Sequence, residues 1–356
     1  MADYIERNLS FFSILRRIVL VTILLLVFVS TGLYIYYKAY VNSPGPVEIG
    51  QEISNVVVTI PKGSSVKAIA EILGVQGIIH NDVRFLILAK FSGYSTKLQA
   101  GEFLLPLGKK PIEILQLLSS AEAVTYSITI PEGLSAVEIA KLFSKDGWCD
   151  EKKFIELVHD PEYIKIFGLT TGQSLEGFLF PDTYLLTRNI YGADKVVNIL
   201  LDRFKKVWSD EIAGITPTPD VDKTVTLASI VEKETAAPSE RPLIAGVFHN
   251  RLLRGMRLQS DPTVVYGVAD YDGVITKKHL RTSTPYNTYT LPGLPVGPIC
   301  NPGRDAIAAV LHPMASSNLY FVSKNDGTHQ FSANLADHNR AVRKYQRKKK
   351  VKKGKQ

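Results

Sequence analysis

Thr59-Ile-Pro-Lys-Gly-Ser-Ser-Val-Lys-Ala-Ile-Ala-Glu-Ile-Leu73 recurs seventy residues later as Thr129-Ile-Pro-Glu-Gly-Leu-Ser-Ala-Val-Glu-Ile-Ala-Lys-Leu-Phe143. Each copy opens on a β-prone run, Val56 to Ile60 or Tyr126 to Ile130, and breaks at Pro-x-Gly. Proline removes a backbone donor there, and glycine accepts the turn conformation. Apolar residues then return at helical spacing behind Ser64 or Ser65, and behind Ser135, which can cap a helix. The pattern predicts strand, turn and helix twice over, and hence an α+β chain. The first copy continues through a second helical stretch, Asn81 to Lys90, to a candidate closing strand at Ala100 to Leu105. Only this copy reads as complete.

The strand–helix–helix–strand order of the first copy resembles a LysM-like module, a small fold that binds N-acetylglucosamine-containing glycans in other proteins. A packed α+β spacer would give the same pattern. Downstream, Phe154 to Phe204 reads as mainly helical, interrupted by Leu175-Glu-Gly-Phe-Leu-Phe-Pro-Asp-Thr-Tyr184. Such a mixture of aromatic and acidic residues can line a sugar cleft. Helical periodicity dominates Thr224 to Gly255. A turn-rich stretch follows to Pro302, then an apolar helix at Asp305 to Leu311 and a strand at Leu319 to Ser323.

Ahead of the repeat, Ile18 to Tyr37 carries no charge, is dominated by Val, Leu and Ile, and ends in Tyr34, Tyr36 and Tyr37. That length suits ~30 Å of hydrocarbon with tyrosines at one interface. Arg16 and Arg17 precede the run and Lys38 alone follows closely, which places the N-terminus in the cytoplasm. A cleaved signal peptide fits less well, because no small-x-small cleavage site follows. The expectation is an uncleaved single-pass anchor in the cell (inner) membrane, with the bulk of the chain periplasmic or extracytoplasmic. The divisions expected are a cytoplasmic tail at 1–17, the anchor at 18–37, a linker at 38–54, the LysM-like module at 55–125, a largely helical catalytic region at 126–345 and a basic disordered tail at 346–356.

The net charge of +8 is a property of the end of the chain, since residues 343–356 hold nine Lys or Arg and no acid. The remainder is close to neutral. Without a basic motif interleaved with aromatics or a zinc spacing, no nucleic-acid partner is implied. Cys149 and Cys300 stand alone and do not decide the redox compartment. Nor do the histidines have ligand-like spacing. No metal and no cofactor are expected.

Gly-x-Ser-x-Gly, His-Glu-x-x-His and phosphate-loop motifs are missing, which leaves carboxylate chemistry. In Leu227-Ala-Ser-Ile-Val-Glu-Lys-Glu-Thr235, Glu234 shares a helical face with Leu227, Ile230 and Val231. Glu232 falls on another face with Ser229 and Lys233, and is expected to look at solvent. A carboxyl group held against apolar surface has a raised pKa and can act as a general acid near neutrality. A structural ion pair reads equally well at this point. A two-carboxylate glycosidase would need a second acid from among Glu176, Asp182 and Asp261.

The same segment, together with Ser239 to Leu252, Gly255 to Gly267, Pro285-Tyr-Asn-Thr-Tyr289, Gly293 to Gly303 and Tyr320-Phe-Val322, resembles the endolytic murein transglycosylase (YceG-like) family. The Leu175 to Tyr184 segment matches as well. The resemblance implies a lytic transglycosylase that cuts nascent peptidoglycan between N-acetylmuramic acid and N-acetylglucosamine. It would leave 1,6-anhydromuramoyl ends and work beside a glycan polymerase. The family's catalytic glutamate falls on Glu234. Cleft-lining positions fall on Gln259, Asp261, Tyr266, Tyr286, Asn287 and Tyr289, with Asn301 and Glu176 in contact or supporting roles. A hydrolase of the same bond and a non-catalytic wall-binding scaffold are the rival readings. Glu232→Gln is expected to keep most activity beside an inactive Glu234→Gln.

Overall fold

A computed structural model describes residues 2–46, 54–120, 124–166, 174–188, 190–235, 237–266, 268 and 271–346. Residues 47–53 of the linker expected at 38–54, and the basic tail beyond Gln346, lie outside the described residues. The chain divides into two compact units, Met1–Tyr126 with Thr187–Asn189, and Ser127–Leu186 with Ile190–Gln356.

The first unit opens with α1 (Ala2–Asn42), a single helix that runs past the expected anchor at both ends. Its stretch from Arg16 to Asn42 is long and apolar enough to cross a membrane, and its apolar side chains are exposed over Ile18 to Tyr36. Strand β1 (Asn55–Ile60), helices α2 (Val66–Val75) and α3 (Val83–Phe91), strand β2 (Gly101–Pro106) and helix α4 (Pro111–Ser120) follow. The strands pair antiparallel with Val56 opposite Leu105 and Val58 opposite Phe103. Val58, Ile60, Phe103 and Leu105 therefore share the inner face, where they meet Leu73, Phe85 and Leu115. Ser65, rather than Ser64, caps α2 by accepting from the Ala68 amide, as an N-cap hydroxyl should. Tyr40 of α1 is buried in this same core at 2% exposure, so the end of the apolar helix is a structural member of the unit.

In the second unit, β3 (Tyr126–Thr129) leads through α5 (Ala136–Lys145), α6 (Glu151–Val158) and α7 (Pro161–Ile166) to β4 (Thr183–Leu186). Strands β3 and β4 pair, with the Thr129 and Thr183 hydroxyls 2.9 Å apart. The second copy of the repeat is thus also closed by a strand, contrary to the sequence reading. Its closing strand stands further downstream, behind an additional helix, where the first copy's spacing gave no reason to seek it. Both copies keep the turn glycine in the left-handed region, Gly63 at φ 83° and Gly133 at φ 80°, a conformation that disfavours a side chain.

The rest of the unit comprises α8 (Ala193–Glu211), α9 (Val221–Glu234), a 3-10 turn (Pro238–Glu240), α10 (Arg241–Leu253), α11 (Asp261–Val265), α12 (Lys277–Arg281) and α13 (Arg304–Leu311). An antiparallel hairpin of β5 (Tyr320–Ser323) and β6 (His329–Ser332) and helix α14 (Leu335–Tyr345) complete it. Helix α9 is central. Asp220 caps its start, and every residue from Thr224 to Val231 is buried because α10, α11 and α13 pack around it. Cys149 and Cys300 are buried free thiols.

Candidate active site

Glu234 is the last residue of α9, and the chain turns extended at Thr235. The helix end brings its carboxyl group from a dry core to the floor of a cleft. Burial pushes the acid up to about 7, against a hydrogen bond from Ser260, with the charge of Asp261 raising it and that of Arg251 lowering it. The Ser260 hydroxyl donates to Oε1 at 2.5 Å. Ser260 is itself fixed from behind, since its amide donates to the Thr288 hydroxyl at 3.0 Å and its carbonyl accepts from the Thr263 hydroxyl at 2.6 Å. Neither Ser260 nor Thr263 stood out in the sequence. The one available signal was that Ser260 lies between Gln259 and Asp261.

Glu232 corrects the sequence reading. Its side chain is only 7% exposed, and Oε1 sits 2.9 Å from Nη2 of Arg241, while Oε2 accepts from the Gly303 amide at 3.0 Å. Helical periodicity misassigned it because α9 is covered on all sides from Thr224 to Val231, and at its end Arg241 and the Gly303 amide draw Glu232 inward while Lys233 stays exposed. Arg241 also reaches Glu132 at 3.2 Å and Asp305 at 3.4 Å. One guanidinium thereby ties the end of α9 to the turn before α5 and to the first turn of α13.

Glu176 lies behind the first turn of α5. Its carboxylate accepts from the Ala136 amide at 3.0 Å, the Asn301 side-chain amide at 2.9 Å and the Tyr266 hydroxyl at 2.9 Å. Burial pushes this acid up to about 7 as well, opposed by the hydrogen bonds from Ala136 and Tyr266. Asn301 is fully buried, its amide also donating to the Leu134 carbonyl and its side-chain oxygen accepting from the Leu179 amide. The pair orients Tyr266, whose ring meets Tyr286 edge to face at 4.6 Å.

Two clefts adjoin at Gly133 and Lys233. One, of about 440 Å³, is lined by Glu132, Glu232, Glu234, Thr235 and Arg241. The other, of about 560 Å³, is lined by Glu138, His159, Glu176, Pro262, Tyr266 and Tyr286 among others. Acid and tyrosines thus occupy neighbouring parts of one groove. Asp261 is exposed and accepts from the Tyr289 hydroxyl at 2.6 Å. Gln259 presents an exposed side chain from a left-handed backbone at φ 51°, a conformation uncommon outside glycine. Asn287 is buried. Its amide donates to the carbonyls of His279, Leu280 and Thr282, and its oxygen accepts from the Tyr289 amide, so it builds the loop. Arg251, also unanticipated, is buried with its donors on the carbonyls of Leu258 and Leu319, and supplies positive charge near Glu234. Among the described residues no group of three His, Cys, Asp or Glu side chains is placed to hold a metal ion.

The model of the YceG-like family matches residues 58–344. An endolytic murein transglycosylase of Bacillus subtilis is 32% identical over 331 residues, which cover 88% of this chain and 90% of that protein. One from Streptococcus pneumoniae is 30% identical over 359 residues, covering 92% of this chain and 65% of that protein. The crystal structure of a yceG-like protein from Listeria monocytogenes superposes with a TM-score of 0.54 at 31% identity, over 82% of this chain and all of that one.

Proposed function

Because the chain belongs to the YceG-like family, we propose that it is a membrane-anchored lytic transglycosylase that cuts peptidoglycan strands internally, between N-acetylmuramic acid and N-acetylglucosamine. The observation that carries this reading is Glu234, an acid pushed up to about 7 by burial and opening on a groove. Near neutral pH such a group can give a proton and take one back.

In the first step the Glu234 proton passes to the glycosidic oxygen as the bond to the anomeric carbon breaks. The resulting carboxylate then accepts the proton of the muramoyl 6-hydroxyl while O6 bonds to that carbon. No water is consumed, and the product end is the 1,6-anhydro sugar. Ser260 engages Oε1, which leaves Oε2 to face the substrate. Tyr266, Tyr286 and Tyr289 offer ring faces and hydroxyls to the sugars. Gln259 and Asp261 offer polar groups, and Glu176, Asn287 and Asn301 hold these elements in place.

On the same reading the apolar part of α1 anchors the chain in the cell membrane with Arg16 and Arg17 on the cytoplasmic side. The first unit serves as a LysM-like module, and a glycan polymerase supplies the strands. Wild-type protein and Glu234→Gln, incubated with uncrosslinked glycan strands, test the reading. Release of anhydro-ended fragments by the wild type alone supports it. Equal release by both refutes it.

A further inference from the structure

Helix α3 turns Phe85, Leu88 and Ala89 into the core of the first unit. Its outer side is also apolar: Val83, Ile87 and Phe91, four residues apart, are 65%, 39% and 82% exposed. The neighbouring contacts of α3 show what lies beside this stripe. Arg84 stacks over the rings of Tyr36 and Tyr40 at 4.1 and 4.7 Å, and its Nη1 donates to the Tyr36 carbonyl at 3.3 Å. Asp82 holds the same guanidinium at 2.8 Å, and the Tyr40 hydroxyl donates to the His80 carbonyl at 3.1 Å. The start of α3 is therefore clamped to α1 at the level of Tyr36, within the last turn of the apolar run.

At 1.5 Å per residue, Tyr40 stands only about 5 Å beyond Tyr37 along the helix axis. A unit whose core encloses Tyr40 has no room to stand clear of a bilayer that α1 crosses. On α3 itself, at about 100° per residue, Phe91 and Ile87 lie roughly 20° and 60° from Arg84, on the edge beside α1. Lys90 flanks the stripe, with a stem long enough to lay its ammonium among lipid headgroups.

We propose that Val83, Ile87 and Phe91 rest in the headgroup–acyl boundary of the leaflet from which α1 emerges, so that the first unit is seated on the lipid surface as well as tethered to it. This rests on reading α1 as a membrane span. Full-length protein in nanodiscs, with Cys149→Ala and Cys300→Ala, tests it through fluorophores placed singly by Ile87→Cys, Phe91→Cys, Val75→Cys and Leu25→Cys. Lipids carrying a shallow spin-label quencher should quench positions 87 and 91 several-fold more strongly than position 75, an exposed site on α2. Position 25, within α1, reports the span independently through a second set of lipids whose spin label sits deep in the acyl chains. Quenching at 25 with none above the level of 75 at 87 and 91 overturns the seating and leaves the anchor intact. Loss of aqueous iodide quenching at 87 and 91 without lipid quenching assigns the stripe to a protein partner and overturns it too. Absence of quenching at 25 removes the span and the proposal together.

Discussion

At the scale of residues, two buried glutamates share a raised pKa and differ in their hydrogen bonds. The fold prefers Glu234 protonated, so its stability is intact below the ordinary carboxylate range and declines as pH rises towards and through about 7. Glu234→Gln escapes that decline. It should be more stable than the wild type at pH 8, by on the order of 1–3 kcal/mol, and close to wild type at pH 4. Glu176→Gln should lose its share of that alkaline decline as well, but be destabilised at pH 4. Its carboxylate accepts from three donors, and an amide group would set a fourth donor against them, at about 1–3 kcal/mol. Calorimetry of both variants across pH checks the pair.

Ser260 belongs to this scale as well. Its hydrogen bond lowers the pKa of Glu234, so Ser260→Ala should move the alkaline limb of the activity profile, expected near pH 7, to higher pH. Activity at the optimum should fall on the order of tenfold as the acid loses its orientation, with recovery in Ser260→Thr. An unmoved limb would make Ser260 merely structural. Helical periodicity selected Glu234 from sequence because three aliphatics mark its face. It misplaced Glu232, since the partners that draw that residue inward, Arg241 and the Gly303 amide, come from outside the helix.

At the scale of elements, Arg241 is a latch between α9, α13 and the turn ahead of α5. Glu232→Gln is for that reason no silent control. It removes a buried ion pair while Glu132 and Asp305 remain, and should cost about 2 kcal/mol in denaturant unfolding. Asp210→Asn, on the exposed side of α8, is the control expected to leave stability and activity alone. The first strand–helix–helix–strand element was legible because it is local: each strand, cap and turn is signalled within a few residues. The closure of β3 by β4 was not, because pairing between distant segments leaves no periodic mark and the strand–helix–helix–strand order that supplied β2 has no place for α7. The groove was illegible for the same reason. Tyr266 meets Glu176, and Ser260 meets Glu234, only through packing of distant segments.

At the scale of the whole molecule, the apolar helix is not a detachable leader to the first unit. Tyr40 fills that unit's core at 2% exposure and is joined there by Tyr37 and Val41. Tyr40→Ala should destabilise the first unit by about 3–5 kcal/mol through the cavity it leaves. Chains begun after Asn42 should be less stable than chains begun at Lys38, as read by protease resistance. The composition pointed to a charged tail and an apolar start, and neither property revealed that the apolar helix ends inside a folded core.

On the proposed reading, Glu234 cuts glycan strands without consuming water. Mass spectrometry of strands digested by wild type, Glu234→Gln and Asp210→Asn tests it most directly. Wild type and Asp210→Asn should yield muramoyl ends one water lighter than reducing ends, and Glu234→Gln should yield no new ends. Reducing ends from the wild type, or anhydro ends from Glu234→Gln at the wild-type rate, would contradict it.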